Sequence, residues 1–550
     1  MSEIRMLCAV VVILLSMSAV NVSVAEELLG HWMLTSDARD TSGNNRNGKN
    51  SGVQFQATGT QGKAAAFDGR GRFIQVESPK LQKLGTRAFS ISVWVKTAAK
   101  LNDNLGTIIS QYDPKTRKGF QLSIKNHAGV TSSQSNYRHL QFGIDNAKQS
   151  AAWKDHGRLG NAILVYSMAV YKNQLFAGTC VSGKEEAGHL YRFDGRQWID
   201  CGTSDNSNAV TSLAVLNNQL YVATGKYRLG GSSLQESQNN HLGGKVYRYT
   251  EDGQFIACGS LPKVEAINGM VVYEDKLYAS SMYAPASFFR YDGGTKWTAC
   301  GTPDGKRVES MTVYNGYIFA SGYDQGAVYR YDGKTWKHVG QVGQATQTYG
   351  FTTYQGELYV SEWPHAEVYR YAGENNWVLA GRLGTEKEAM PLAVYNGKMY
   401  SGTLPLAEVY RYEGKTAWKK VGRIDLTPDV RYRRVWSMAV FQGRLFAGTL
   451  PAGHVHSFSA GKNVTYDTAL ASGWVHVVAV KGKNRLQLYV DGKQVAKSTS
   501  FNAADYDLTT TSPLKIGFGA HDYFNGSLKD LRIHNRAISN SEVQELYKAH

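Results

Sequence analysis

The stretch V-Y-R-Y-D-G-K-T-W-K-H-V-G at residues 328–340 decides the fold, because it recurs. Its first four residues return as V-Y-R-Y at 246–249, 368–371 and 409–412, as L-Y-R-F at 190–193, as F-F-R-Y at 288–291 and, worn, as V-H-S-F at 455–458. Copies spaced about 40 residues apart are the signature of a propeller or solenoid, in which a unit buries its apolar face only against its neighbours. Apolar and polar residues alternate within a copy, aromatic and β-branched residues are frequent, and Asp332-Gly333 makes a tight turn. That is the pattern of antiparallel strands in hairpins. A variable loop precedes each V-Y-R-Y, and two more strand patterns precede the loop, as in S-M-A-V-Y at 167–171 and Q-L-F-A-G-T at 174–179. Four strands per unit predict a propeller blade.

The strands at the Trp336 position begin at Trp198, Phe255, Trp297, Trp336, Trp377 and Trp418, so the last unit, from Trp436 to about 459, lacks one. Trp153-Lys154-Asp155-His156-Gly157 stands ahead of the first complete unit and fits the missing slot. The sequence therefore predicts seven blades over residues 146–463, with 151–157 completing the blade of 434–459 and removing both exposed edges. The recurring Tyr, Trp and Met positions read as packing between blades, which need large flat side chains on both faces. Function is expected where the units differ.

The flanks carry strand patterns but no blade motif. The first has A-F-D-G at 66–69, F-I-Q-V at 73–76 and F-S-I-S-V-W-V at 89–95. The second has W-V-H-V at 474–477, L-Y-V-D-G at 488–492 and F-N-G-S-L-K-D-L-R-I at 524–533, closing with N-R-A-I-S at 535–539 and Glu542. These motifs resemble the laminin-G-like, concanavalin A-like lectin jelly roll of many secreted bacterial proteins, in that family's order. Neither flank holds the whole pattern. The expected fold class is thus all-β, a seven-bladed β-propeller inserted into a two-sheet jelly-roll sandwich whose parts are residues 26–145 and 464–550; insertions succeed where two chain ends emerge together at a surface loop. Asp491-Gly492 reads as a hairpin turn and Trp94 as strand packing. The resemblance implies relatives that mostly bind glycans or proteins, some with calcium. No calcium-ligand motif can be laid on this sequence, so no cofactor is assigned, metal ligands are unknown, and calcium stays open in the sandwich. Asp40 and Asp530 are the acids to inspect first, although Asp40 in D-T-S-G-N-N is also an ordinary turn residue.

The chain opens M-S-E-I-R, followed by an apolar run from Met6 to about Val20 and then Ser23-Val24-Ala25, the layout of a secretory signal peptide over residues 1–25. The run is shorter than the roughly 20 residues a membrane-spanning helix needs, so no transmembrane segment is expected in the mature chain. The expected location is secreted or periplasmic. With 61 Lys and Arg against 45 Asp and Glu the net charge is +16, which draws a secreted protein toward anionic surfaces and polymers. Nucleic acid is excluded as a partner by the compartment and by the even spread of charge. Cys201, Cys258 and Cys300 occupy one repeat slot that holds His156, Val339, Ala380 and Val421 elsewhere, so they read as packing thiols; a bridge between Cys180 and Cys201 is left open.

In an up-and-down blade the loops after the second strand share a face with the loops between blades. That face gathers Tyr227 and Arg228 in a long insertion, Tyr283, Tyr323-Asp324, Trp363-Pro364-His365 and the run Arg431-Tyr432-Arg433-Arg434. Aligning the residue just before each innermost strand gives Tyr166, Thr211, Asn268, Glu309, Tyr349, Met390 and Trp436 as the expected channel mouth. The ligand-binding candidates are Tyr166, Asn268, Glu309, Tyr349, Trp436, Arg431, Arg434, Trp363, Tyr227 and Arg228, with the arginines expected on a solvent-exposed rim. Aromatic faces suit sugar rings, and guanidinium forks suit carboxylate or sulfate. Catalytic signatures such as G-x-S-x-G, H-E-x-x-H or a phosphate loop are absent from the sequence, and no catalytic residue is assigned. The leading expectation is a non-enzymatic binding protein for a glycan, an anionic polysaccharide or an extracellular protein. The alternatives are a carbohydrate-active enzyme, a glycoside hydrolase or polysaccharide lyase using Glu309, Asp324, Glu362 and His365 at the propeller mouth, and a protein-interaction scaffold.

Overall fold

The computed structural model describes residues 28–58, 62–125, 134–148 and 152–549. The expected signal peptide lies outside the described residues. Among the described residues the α-helices are Pro79–Gln82 and Asn540–Lys548, and strands carry the rest of the architecture, a β-propeller beside a concanavalin A-like domain.

The repeat folds as its pattern dictates. One unit runs Ser310–Tyr314, Tyr317–Ser321, Ala327–Tyr331 and Trp336–Gln341, each strand antiparallel to the next. Among the described residues five such four-stranded sheets occur, and a further eight-stranded sheet holds two successive meanders, opening at Leu164–Tyr171 and Ala209–Leu216 and joined through the single pair Cys180 and Ala209. The spare strand Trp153–Arg158 pairs with His454–Phe458, Trp153 facing Phe458 and Asp155 facing His456. The first strands of successive units lie against one another around an axis, and Arg434–Phe441 meets Leu164–Tyr171 again.

Several of the recurring aromatics do more than fill space, because a polar tip finds a carbonyl next door. The Tyr ending a first strand donates its hydroxyl to the next unit's hairpin: Tyr273 to Gly316 O at 2.9 Å, Tyr314 to Gly356 O at 3.0 Å and Tyr395 to Gly443 O at 2.8 Å. The Trp indoles reach backward, Trp377 to Val339 O at 3.0 Å and Trp418 to Ala380 O at 2.9 Å. One aromatic slot thus both packs and stitches adjacent units.

Both remaining sheets draw strands from both flanks. In one, Phe89–Thr97 lies between Gly473–Lys481 and Asn525–His534. In the other, Phe73–Val76, Leu514–Ile516, Gly106–Asp113, Lys118–Lys125, His139–Asn146 and Lys462–Tyr466 follow in order. Their facing sides bury Ile91, Val93, Val95, Phe120, Phe142 and Val477. Trp94 points the other way and stacks on Tyr547 of the closing helix, ring centroids 5.8 Å apart. The closing motif is a helix start: Ser539 and Glu542 form a reciprocal capping box, and the Arg536 guanidinium beside Glu542 pulls that carboxyl down to about 2.

Every residue of His139–Asn146 is buried, because one side of the strand faces the sandwich core and the other meets the ring. The ring presents its first-to-second-strand turns to this sheet and its neighbours. Asn136 bonds Val440 twice, Nδ2 to O at 2.8 Å and Oδ1 from N at 3.0 Å; Ser135 donates to Met438 O at 2.7 Å; Gly316 N donates to Asn102 O at 2.8 Å and Gln355 N to Ala520 O at 2.9 Å. Lys125 points its ammonium at Val394 O in the same interface, and burial pulls its pKa down to about 7. The sandwich therefore floors one face of the ring, and the unlike loops occupy the opposite face.

Candidate functional site

At the axis on the open face, strand ends bring Tyr166, Tyr227, Tyr349, Met390 and Trp436 into one buried cluster, with Tyr283, Tyr323 and Trp363 half-buried at its edge. Tyr166 lies 5.0 Å from Trp436 and 5.3 Å from Tyr227 between ring centroids, and its hydroxyl donates to Asn268 Oδ1 at 3.3 Å. Above the cluster is a cavity of about 360 Å³, lined by Tyr227, Arg228, Met282, Tyr283, Arg307, Tyr323, Gln347, Tyr349, Arg434 and Trp436.

Three guanidiniums border that cavity, each seated on an aromatic ring. Arg228 sits 4.3 Å above Tyr283 and bonds Glu265 at 2.7 Å; Arg307 sits 5.3 Å from Tyr323 and bonds Asp324 at 3.0 Å. Arg434 lies 5.3 Å from Trp436, reaches Glu388 Oε2 at 3.3 Å and donates to Ser232 Oγ at 2.8 Å. Burial would lower the Arg434 pKa, but Glu388 and the surrounding tyrosines hold it raised. Burial likewise raises Glu388 against the pull of Arg434. Glu309 is fully buried below, and desolvation pushes its carboxyl up to about 8 despite Tyr323 and Asn268 beside it. Among the described residues, neither Glu309 oxygen completes a hydrogen bond of ordinary geometry, and the Arg434 Nε and Trp436 Nε1 protons find no acceptor.

The expected mouth residues converge unequally. Tyr166, Asn268, Glu309, Tyr349, Met390 and Trp436 meet at the axis, buried rather than open, whereas Thr211 turns its hydroxyl toward Ala223 O of its own sheet at 3.4 Å. Tyr227 lies inside the cluster with its hydroxyl 2.6 Å from Ser232 Oγ, and Arg228 is on the rim. The arginine run divides against expectation. Arg434 is an interior residue, drawn in by the buried Glu388 carboxylate, and Arg433 ties two units together by donating its backbone N to Pro405 O at 2.9 Å and its Nε to Thr427 O at 2.5 Å. Arg431 is exposed, resting 4.9 Å from the Tyr432 ring outside the cavity lining, and Trp363 meets Tyr432 edge-on at 6.4 Å. Of the acid and base candidates, Asp324 is held by Arg307, and Glu362 accepts the backbone N–H of His365 at 3.1 Å and of Glu367 at 2.8 Å, which fixes its loop. Glu362, His365 and Glu367 still place donor atoms within 4.8 Å of one another.

Arg307, Gln347 and Glu388 were missed by the sequence reading, although a signal existed. They stand two residues ahead of the mouth positions Glu309, Tyr349 and Met390, as Arg434 stands two ahead of Trp436. The same alignment moved by two finds them.

Two further expectations resolve outside the cavity. Cys180 and Cys201 are both free thiols, not a bridge: Cys180 is buried in the central cluster, while Cys201 follows the outer strand Trp198–Asp200 and packs near Tyr249. In the sandwich, Asp40 accepts the backbone N–H of His31, Ser42 and Arg46 at 2.9–3.0 Å, as a turn residue does, and Asp530 binds His31 Nε2 at 2.7 Å and Arg532 Nε at 2.9 Å.

A profile of the concanavalin A-like lectin/glucanases superfamily, Laminin_G_3, matches residues 436–544, starting in a ring strand and running through the second part of the sandwich. No curated protein matches the chain. Among solved structures, virginiamycin B lyase from Staphylococcus aureus is similar at 11% identity and a TM-score of 0.44, covering 56% of this chain and 99% of its own. A streptogramin B lyase is similar at 8% identity and a TM-score of 0.45, covering 57% and 99%. At such identity and score the likeness carries nothing about ligand or chemistry.

Proposed function

We propose that this chain is a non-enzymatic binding protein that takes a carboxylate- or sulfate-bearing glycan into the cavity on the open face of a seven-bladed propeller. The observation that carries the reading is the cavity wall, where Arg228, Arg307 and Arg434 are each seated on an aromatic ring around one space. Aromatic faces accept the C–H faces of sugars, and a guanidinium already fixed on a ring loses less entropy when it clasps an anion. The net charge of +16 favours the same ligands. The count of seven follows if the eight-stranded sheet is two blades joined at Cys180 and Ala209 and the seam blade is spliced from 152–158 with 434–458. Strand sharing between the two flanks supports a ring inserted into the sandwich. The leader-like first 25 residues support secretion or periplasmic export, where glycans and extracellular proteins are the available partners.

The test is a glycan array followed by calorimetry on the hits. Acidic glycans should bind and their neutral counterparts should not, and Arg307→Ala should weaken binding about tenfold, the worth of roughly one charge-assisted contact. Equal binding of neutral and acidic glycans would sink the reading. A second reading rests on Glu309, a protonated carboxyl at neutral pH beneath the cavity. Release of reducing ends or unsaturated uronates, lost in Glu309→Gln, would make the chain a carbohydrate-active enzyme instead.

A further inference from the structure

The outer edge of the seam sheet holds a group of donors that the cavity does not use. Asp155 on Trp153–Arg158 and His454 and His456 on His454–Phe458 bring a carboxylate oxygen and one nitrogen from each imidazole within 4.8 Å of one another. Register does this: Asp155 pairs directly with His456, and His454 lies two residues away on the same face. His454 Nδ1 is 2.9 and 3.1 Å from the two Asp155 oxygens, and the two imidazole rings lie nearly parallel with centroids 6.1 Å apart. His456 is half-buried and Asp155 exposed, so the group is held against the blade on one side and open to solvent on the other.

The neighbouring unit supplies a control within the same molecule. There His189 Nδ1 bonds both Asp200 oxygens at 2.9 Å, and Asp200 pairs with Tyr191, whose ring stacks on His189. The same Asp–His pair therefore recurs in this slot with two donor groups only. The seam differs by one side chain. Where His456 stands, the other units place Tyr191, Tyr247, Phe289, Tyr329, Tyr369 and Tyr410, rings that only pack or donate a hydroxyl. Replacing that ring by a second imidazole, facing a carboxylate and a first imidazole, turns a packing position into a third ligand.

We propose that Asp155, His454 and His456 bind a divalent transition-metal cation of the zinc class, with the remaining coordination open to water. Two imidazole nitrogens and one carboxylate oxygen suit such an ion, whereas calcium and magnesium favour all-oxygen sets. Zinc bonds of about 2.0–2.2 Å place tetrahedral ligand atoms about 3.4 Å apart, so the Asp155–His454 contact must open slightly and the wider contacts close, shifts of about 1 Å that side-chain rotation supplies. The ion bridges the strand that precedes the ring's first complete unit to the last unit's third strand. It would therefore clip the seam and stabilise the folded chain in proportion to its occupancy.

The test is titration of the metal-stripped full chain with zinc chloride alone, followed by calorimetry and by thermal melting. One equivalent should bind and raise the melting temperature to a plateau. His456→Tyr restores the residue of the other units and should abolish both effects while leaving metal-free melting near that of the wild type; Asp155→Asn should do the same. His189→Ala should keep full binding. Cobalt substitution should give the visible spectrum of nitrogen and oxygen ligation. Zinc binding that survives His456→Tyr, that disappears in His189→Ala, or that is absent in the wild-type chain for zinc, nickel, copper and cobalt overturns the assignment.

Discussion

The two faces of the ring are made from the same strands, yet one is uniform and the other varied. On the floored face the turns are Lys172-Asn173, Asn217-Asn218, Glu274-Asp275, Asn315-Gly316, Gln355-Gly356, Asn396-Gly397 and Gln442-Gly443, and the first residue of each has a φ between 42° and 51°, or 52° at Gln355. Such two-residue turns demand positive φ and admit few residue types, and the sandwich lies against most of them, bonding Asn173, Glu274, Gly316 and Gln355 through their backbone N–H groups, although Asn217-Asn218 stays exposed. The open face meets no such wall. Its loops range from short turns to the 226–241 insertion with its turn of helix at Leu229–Ser232, and it is there that arginines and aromatics surround a cavity. Constraint by a neighbouring domain, rather than by the blade itself, separates the two faces.

That contrast can be broken at several strengths. The largest effect is expected from residues 26–145 made alone: without Gly473–Lys481 and Asn525–His534 the strand Phe89–Thr97 loses both neighbours, so the fragment should show no cooperative thermal transition by circular dichroism. A cooperative transition would end the two-flank account of the floor. On the open face, Arg434→Ala leaves Glu388 buried without its cation and should cost about 3–5 kcal/mol in denaturant unfolding; a loss below 1 kcal/mol would mean that the pair is solvated.

Proton linkage should register the interior beneath the cavity next. Glu309 titrates near 8 in the folded chain against an ordinary 4.5, so its contribution is complete below pH 4.5 and is lost as pH rises toward 8. Glu309→Gln should therefore flatten part of the fall in melting temperature over that window, leaving the slope due to the other carboxyls that burial raises, among them Glu388, Asp522, Asp103 and Asp467. An unchanged slope would mean that the carboxyl is hydrated. The finest comparison sets one residue from each face side by side. Asn136→Ala strips two bonds from the floor and should cost about 1–3 kcal/mol without altering ligand retention, whereas Arg431→Ala should shift stability by less than about 0.5 kcal/mol and slightly weaken retention on an anionic glycan column. The reverse pattern would exchange the roles given to the two faces.

How much of this was legible in advance follows from the range of the interactions. The strand Trp336–Gln341 begins where the Trp pattern places it, and the turns fall at the polar and glycine pairs, because alternation and turn chemistry act over a few residues. The site was half legible. Aligning the units found Tyr166, Glu309 and Trp436, but Arg307 and Glu388 contribute through which strand ends meet across the axis, and no single unit records that. Arg434 shows the limit most sharply: beside Arg431 and Arg433 it reads as one more rim charge, and only the carboxylate of another unit turns it inward.

What the sequence determined by itself is therefore the unit: four strands, their faces, their tight turns, and the spare strand at Trp153 that one unit lacks. The tertiary structure alone decided which charges are buried, that Cys180 and Cys201 stay apart, and that the sandwich closes one face of the ring. The physical reason is one of range. Strand alternation and turn preference are written in neighbouring residues, whereas desolvation and charge pairing depend on residues such as Glu388 and Arg434, brought together from different strands only when the ring closes.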